Sequence, residues 1–255
     1  MPTIKGSYPH HLSFEPRPMK APVIWGFAET IRRQVLRMVH RRVVDVREVA
    51  GRTESLLING IAFSLVWDFD NPVHDEEGHP VMGICEHDAC EPGQVMISVN
   101  GSEVGSRPEI ERSTALHELG HALFDMPAAV HAGRQLCLEF GDERPRRIFR
   151  SGAPGRVPQG PMDWREWRAN EFMGAFLAPP AAFHQHLIRL ANQAGLSLVH
   201  RPAHGKQGLP VVDGRGLSGI RFGEVLDLLA EEFGVTGEFA RVRIDKYRLL
   251  AGREG

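Results

Sequence analysis

Five residues, His117-Glu118-Leu119-Gly120-His121, constrain this chain more than any other stretch, because the pattern H-E-x-x-H brings its side chains together only on an α-helix. Residues four apart on a helix lie one turn above each other, so the two imidazoles project from one face and can share one ion. The intervening glutamate points toward the same cleft but too far round to ligate comfortably. That leaves it to take a proton from an attacking water. The flanks call for a helix independently. Pro108 and Glu109 suit a first turn, proline because it needs no donor there and the acid because it faces the positive helix end. Leu116, Leu119 and Leu123 supply a core-facing side, and the helix is predicted to run from Pro108 to about Phe124.

Zinc in a hydrolytic site takes three protein ligands and keeps one position open. The third ligand is sought downstream among Asp125, Glu139, Asp142, Glu143, Asp163, Glu166, Glu171, His131, His184 and His186. Glu166 is preferred because it sits on a strongly helical stretch, predicted from about Asp163 to Leu177. Asn170, one turn later, is placed to hydrogen-bond a metal-bound imidazole and fix its orientation. The predicted site is therefore His117, His121 and Glu166 around Zn2+, with Glu118 as the catalytic base and Asn170 behind the ligands. No residue is assigned to hold an oxyanion, and Tyr8 and Tyr247 are the only tyrosines.

Elsewhere the signals are local. Residues 1–20 lack periodicity and read as a flexible arm. From Ala28 to Arg41 the apolar positions Ile31, Val35, Met38 and Val39 keep helical spacing, with Arg32, Arg33, Arg37 and Arg41 on the opposite, solvated face. Asp45 caps a second predicted helix reaching about Leu57 and ended by Asn59-Gly60. Ile61, Phe63, Leu65 and Trp67 alternate as a half-buried strand does, and Val95 to Val99 form another short strand. Residues 69–94 read as loop with one more strand at most, and 127–162 give weak signals. Helices are expected from Ala181 to Asn192, through Phe222, Val225, Leu229 and Phe233, and from Glu238 to Leu250, with Gly234 as a turn. The Gly-rich stretch 195–218 reads as a loop or linker.

Composition removes several alternatives. Lys+Arg 30 against Asp+Glu 32 leaves no global field to draw nucleic acid or an anionic membrane. No apolar run approaches the roughly 20 residues needed to cross a bilayer, and three cysteines are too few for a disulfide framework, so a cytoplasmic protein is expected. Cys85, His87 and Cys90 have residue types suited to a second metal. No matching pair follows them, and an ordinary loop with thiols is preferred.

The segments HELGHALF (117–124) and EWRANEFMGAFLAPP (166–180) resemble the ImmA/IrrE family of metallopeptidases, in which a zincin helix is followed by a glutamate helix of the form E-x-x-A-N-x-F. Glu166, Ala169, Asn170 and Phe172 carry the second part, with Leu177 and Pro180 at the helix end. The resemblance implies an α+β fold with a zincin-like core, mostly helical with a small sheet beside the metal-binding helix. It implies a zinc endopeptidase whose protein substrate is a helix-turn-helix transcriptional repressor. It also implies zinc held by His117, His121 and Glu166, with Glu118 as base. The expected organisation is an arm over 1–20, a metallopeptidase domain over 21–195, a linker over 196–218 and a C-terminal helical segment over 219–255. That last segment has the outline of a helix-turn-helix, with Arg241, Arg243, Lys246 and Arg248 on or near its second helix. A DNA-binding or repressor-binding regulator with a non-catalytic metal site is the rival expectation.

Overall fold

The computed structural model describes residues 3–36, 42–75, 77–88, 90–140, 148–150, 163–215 and 217–252. Packing divides the chain into two units, the first of Met1–Val39 with Asp45–Phe176 and the second of His40–Val44 with Leu177–Gly255.

The first unit is a mixed sheet with helices. Its elements in order are β1 (Ile4–Gly6), α1 (Ala21–Val35), α2 (Val46–Ala50), β2 (Ser55–Ile58), β3 (Ile61–Asp68), β4 (Gly83–Asp88), β5 (Gln94–Val99), α3 (Gly101–Val104), α4 (Pro108–Phe124), α5 (Met126–Phe140), β6 (Ile148–Arg150) and α6 (Trp164–Leu177). The strands lie in the order β1-β2-β3-β5-β4-β6, with β1–β2 and β3–β5 parallel and the other pairs antiparallel. In β3 the alternation does what it predicts. Ile61, Phe63 and Leu65 are buried while Ala62, Ser64 and Val66 are exposed. Helix α4 packs on β4 and β5, α5 on β3 and β4, and α1 on β1. A chain of rings joins these layers: Tyr8 to Phe27 at 5.5 Å, Phe27 to Phe124 at 5.2 Å and Phe124 to Phe172 at 6.1 Å.

Three expectations change here. From residue 3 on, the expected arm over 1–20 is built into the fold. Ile4 and Tyr8 are buried, and Ile4–Gly6 pairs with β2. Asp45 does cap a helix, accepting from the N–H groups of Arg47 at 2.9 Å and Glu48 at 3.3 Å, but that helix stops at Ala50. The residues after it alternate between half-buried and buried as β2, and Asn59 (φ 52°) with Gly60 (φ 85°) makes the two-residue turn of a β-hairpin. Helix α1 begins at Ala21 rather than Ala28, with Pro22 in its first turn. Arg37, Met38, Val39 and Arg41 lie outside the described residues. Met126–Phe140, which carries no clear periodic signal, is helix α5.

The second unit consists of α7 (Pro180–Gln193), β7 (Leu198–Ala203), β8 (Lys206–Asp213), α8 (Gly219–Phe233), α9 (Gly237–Tyr247) and β9 (Leu250–Ala251). The expected linker at 196–218 is instead a hairpin. β7 and β8 pair antiparallel across a turn at His204 (φ 35°) and Gly205 (φ 84°), and β9 joins β8 in parallel. The unit boundary accordingly falls at 176/177 rather than at 195/196. Phe183 anchors the interior, 5.1 Å from the Phe233 ring and 6.1 Å from that of Tyr247. Gly234, in the left-handed region, ends α8 as expected. Helix α9 stops at Tyr247, so Leu250 belongs to β9. Among the described residues no helix is long and apolar enough to cross a membrane.

Candidate metal centre

Helix α4 runs from Pro108 to Phe124, with Pro108 in its first turn and Glu109 and Glu111 beside its N-terminus. From Thr114 onward every residue of it is buried. Such burial holds His117, Glu118 and His121 on a rigid rod instead of a loop. Two glycines bring its neighbours close. At Gly83 a Cβ would lie 2.7 Å from Thr114 Cγ2 and 3.0 Å from Glu118 Cγ, so only glycine lets β4 rest on α4 beside Glu118. At Gly120 a Cβ would lie 2.9 Å from Ala169 Cα, so only glycine lets α6 approach this closely.

That approach delivers Glu166. Its carboxylate oxygens stand 3.3 Å from His117 Nε2 and 3.2 Å from His121 Nε2, and the two ring nitrogens are 3.1 Å apart. The three side chains expected to share an ion thus converge, with the histidines buried and Glu166 half-buried. Two imidazoles and a carboxylate from two helices are a donor set suited to Zn2+, and the spacing of the ligand atoms fits a single ion between them. Glu118 is fully buried on the same helix.

The electrostatics agree. Burial opposes protonation of His121, but hydrogen bonds to Asp125 and Glu166 outweigh it and raise the ring pKa to about 10. Burial likewise disfavours the charged form of Glu166, yet hydrogen bonds from His117 and His121 prevail and lower it to about 2. The carboxylates of Asp125 and Glu166 thus favour positive charge at His121. His117 Nδ1 is buried and has no hydrogen-bond partner among the described residues.

The expected partner behind the ligands is not Asn170. That residue is half-buried, and no hydrogen bond joins it to either imidazole among the described residues. His121 Nδ1 instead meets Asp125 Oδ2 at 2.8 Å, and Asp125 Oδ1 accepts from Arg168 at 2.9 Å. The sequence carried a signal for this, since Asp125 is four residues after His121 and so on the same helical face.

The remaining candidates have other work. Asp163 caps α6, accepting from Arg165 N–H at 2.8 Å. Glu171 accepts from the indole of Trp25 at 2.8 Å, and His131 meets Gln135 at 3.1 Å. His184 and His186 lie in the second unit, where His184 pairs with His204 and the Pro210 carbonyl and His186 with Glu232. The side chain of Glu139, and Asp142 and Glu143, lie outside the described residues, as does the side chain of Cys137. Tyr8 donates its hydroxyl to the carbonyls of Leu123 and Phe124 and Tyr247 to that of Ala178, so both are engaged in holding backbone. Cys85 and His87 are buried on β4 and Cys90 is exposed, and the three do not converge as ligands.

On α9, Arg243 faces inward over the Phe239 ring, 5.4 Å from its centre, while Arg241 and Lys246 on that helix and Arg248 just after it are exposed. No model of a known protein family matches the chain, and no curated protein matches it.

Proposed function

We propose that the chain is a zinc-dependent endopeptidase of the ImmA/IrrE type, with a zincin-like core, that cleaves a helix-turn-helix transcriptional repressor. One observation carries the reading: the Nε2 atoms of His117 and His121 from α4 stand 3.1 Å apart, and the two carboxylate oxygens of Glu166 from α6 reach them at 3.3 and 3.2 Å. Those three residues would hold the ion. A divalent ion with three protein ligands keeps a position open, where it acts as a Lewis acid on a scissile carbonyl and on water.

The other roles belong to the chain itself. Glu118, fixed on the same helix and enclosed by β4, takes the proton of the attacking water and returns it to the departing amine. Its burial excludes bulk solvent from that transfer and strengthens every charge interaction around it. His117 and His121 would ligate through Nε2, the atoms that converge on Glu166. Glu166, arriving from another helix, makes the site depend on tertiary structure, so the unfolded chain has no such centre.

The test is cleavage of a helix-turn-helix protein encoded beside this chain, by the parent and by Glu118→Gln. Cleavage by the parent alone supports the assignment, whereas equal cleavage by both rejects Glu118 as base. The rival reading, DNA contact through the C-terminal helices, has less in its favour because Arg243 is engaged with Phe239 and Tyr247 rings.

A further inference from the structure

We propose that Asp125 and Arg168 act as one positioning pair, an ion-paired brace that holds the two halves of the metal centre in ligating geometry. The inference rests on the metal-site reading above and extends it to two residues that touch no ion.

The geometry begins with the end of α4. Asp125 caps that helix, its N–H donating to the His121 carbonyl at 2.8 Å, so its side chain falls one turn below the His121 ring. Its Oδ2 accepts a hydrogen bond from His121 Nδ1–H at 2.8 Å. With Nδ1 protonated, the lone pair of the neutral ring is on Nε2, the atom that faces His117 and Glu166. Asp125 therefore selects the tautomer that can bind an ion and stops the ring from turning about χ2. A carboxylate in this place also makes the imidazole a stronger donor to metal.

Arg168 supplies the other end of the brace. It stands two residues after Glu166 on α6, and its guanidinium donates to Asp125 Oδ1 at 2.9 Å. Both side chains are largely buried, at 11% exposure each, so the pair is shielded from solvent far more than a surface ion pair is. Arg168 fixes the carboxylate that orients His121. It also ties α6, and with it Glu166, to the end of α4. Ala169, the next residue, is where α6 meets Gly120. One carboxylate thus links a ligand from each helix without binding the ion.

The experiment is zinc affinity of the full chain, read by competition with a chromophoric chelator, for the parent, Asp125→Asn, Arg168→Gln, Arg168→Lys and the Asp125→Asn/Arg168→Gln double variant. Each of Asp125→Asn and Arg168→Gln is expected to weaken zinc binding by roughly 10–100-fold, the range for loss of a ligand's support. The double variant should be no weaker than the worse single one, since the two residues work as a unit. Arg168→Lys, which keeps the charge, should recover part of the loss. Co2+ in Arg168→Gln should show a shifted visible spectrum, which a change in fold stability alone does not produce.

Parental zinc affinity in Arg168→Gln overturns the proposal, as do losses that simply multiply in the double variant. Should Arg168→Gln fail to fold, Arg168→Lys and Asp125→Asn decide together: an unaltered cobalt spectrum and parental affinity in the first, with parental affinity also in the second, overturn the pair. A parent that binds no zinc rejects instead the metal-site reading beneath it.

Discussion

Gly120 and Ala169 touch where the two ligand-bearing helices cross, with the Gly120 Cβ position only 2.9 Å from Ala169 Cα and 3.2 Å from its carbonyl oxygen. Backbone cannot yield as a flexible side chain does. Gly120→Ala is therefore expected to push α6 outward, costing about 1–3 kcal/mol of stability, the usual penalty for overpacking. The same shift draws Glu166 away from His117 and His121, so zinc affinity should fall by roughly tenfold or more. Thermal unfolding together with chelator competition checks both, and parental zinc affinity in Gly120→Ala counts against the crossing as the device that places Glu166.

In the proposed function Glu118 serves catalysis and Glu166 ligation, and the two can be separated. Glu118→Gln should keep one zinc per chain and lose about 10²–10⁴ in rate, the contribution of a positioned base. Glu166→Gln should lose the zinc itself. Elemental analysis of the two purified variants makes the comparison, and the idea fails if both retain metal equally or if the losses are reversed.

His87 sets an acid limit on stability. It is fully buried on β4, under Gly133 of α5, and burial pulls its pKa below the usual value of 6.5. The Pro92 carbonyl and Asp88 favour its charged form, and Arg134 opposes it. A histidine with a lowered folded-state pKa stays neutral while the unfolded chain takes up a proton. Stability is thus fully present above about 6.5 and is lost as the pH falls toward the folded pKa. The parent should lose stability between pH 7 and pH 5 more steeply than His87→Gln, both treated with chelator so that metal release does not contribute. Parallel slopes in urea unfolding would disprove it.

Tyr8 pins the N-terminal segment to the end of α4, the helix that carries His117 and His121. Its hydroxyl lies 3.0 Å from both the Leu123 and Phe124 carbonyls, acceptors that α4 leaves unused at its C-terminus. Burial pushes the phenol pKa up, so the donor stays protonated through the working range. Tyr8→Phe is expected to cost about 1–2 kcal/mol through the buried carbonyls it strands. A variant as stable as the parent by chemical denaturation would show that the segment is not held there.

What could be read beforehand follows from distance along the chain. His117, Glu118 and His121 were legible because a single helix places them, and α4 spans the predicted residues, Pro108 to Phe124. Glu166 was legible because its helix carries its own signals, though nothing local says that α6 crosses α4 at Gly120. Asp125 stood among the candidate ligands. Only coordinates separate a carboxylate that meets Nδ1 of His121 from one that meets Nε2. Arg168 gave no sign at all, since its partner is 43 residues away.

The elements that differ from the sequence expectation share a physical cause. Ser55–Ile58 and the β7–β8 pair are strands whose turns, Asn59-Gly60 and His204-Gly205, are also residues that end helices or fill loops. Left-handed backbone serves all three uses, so the turn residues alone did not decide. Pairing did: Leu56 against Phe63 and Val199 against Val211 place apolar side chains across from each other. Ile4–Gly6 is too short to show a period and is strand only because Leu56–Ile58 lies beside it.

Residues 40–44 travel with the second unit although they fall between α1 and α2 of the first, and Arg42 reaches the Glu232 carboxylate at 3.3 Å. The polypeptide consequently passes from one unit to the other three times. A truncation after Phe176 would leave this short insert behind without its anion, and an isolated fragment from Leu177 would lack a piece of its own packing. Splitting the protein cleanly requires reconnecting residue 39 to residue 45, with the five excised residues supplied to the other half.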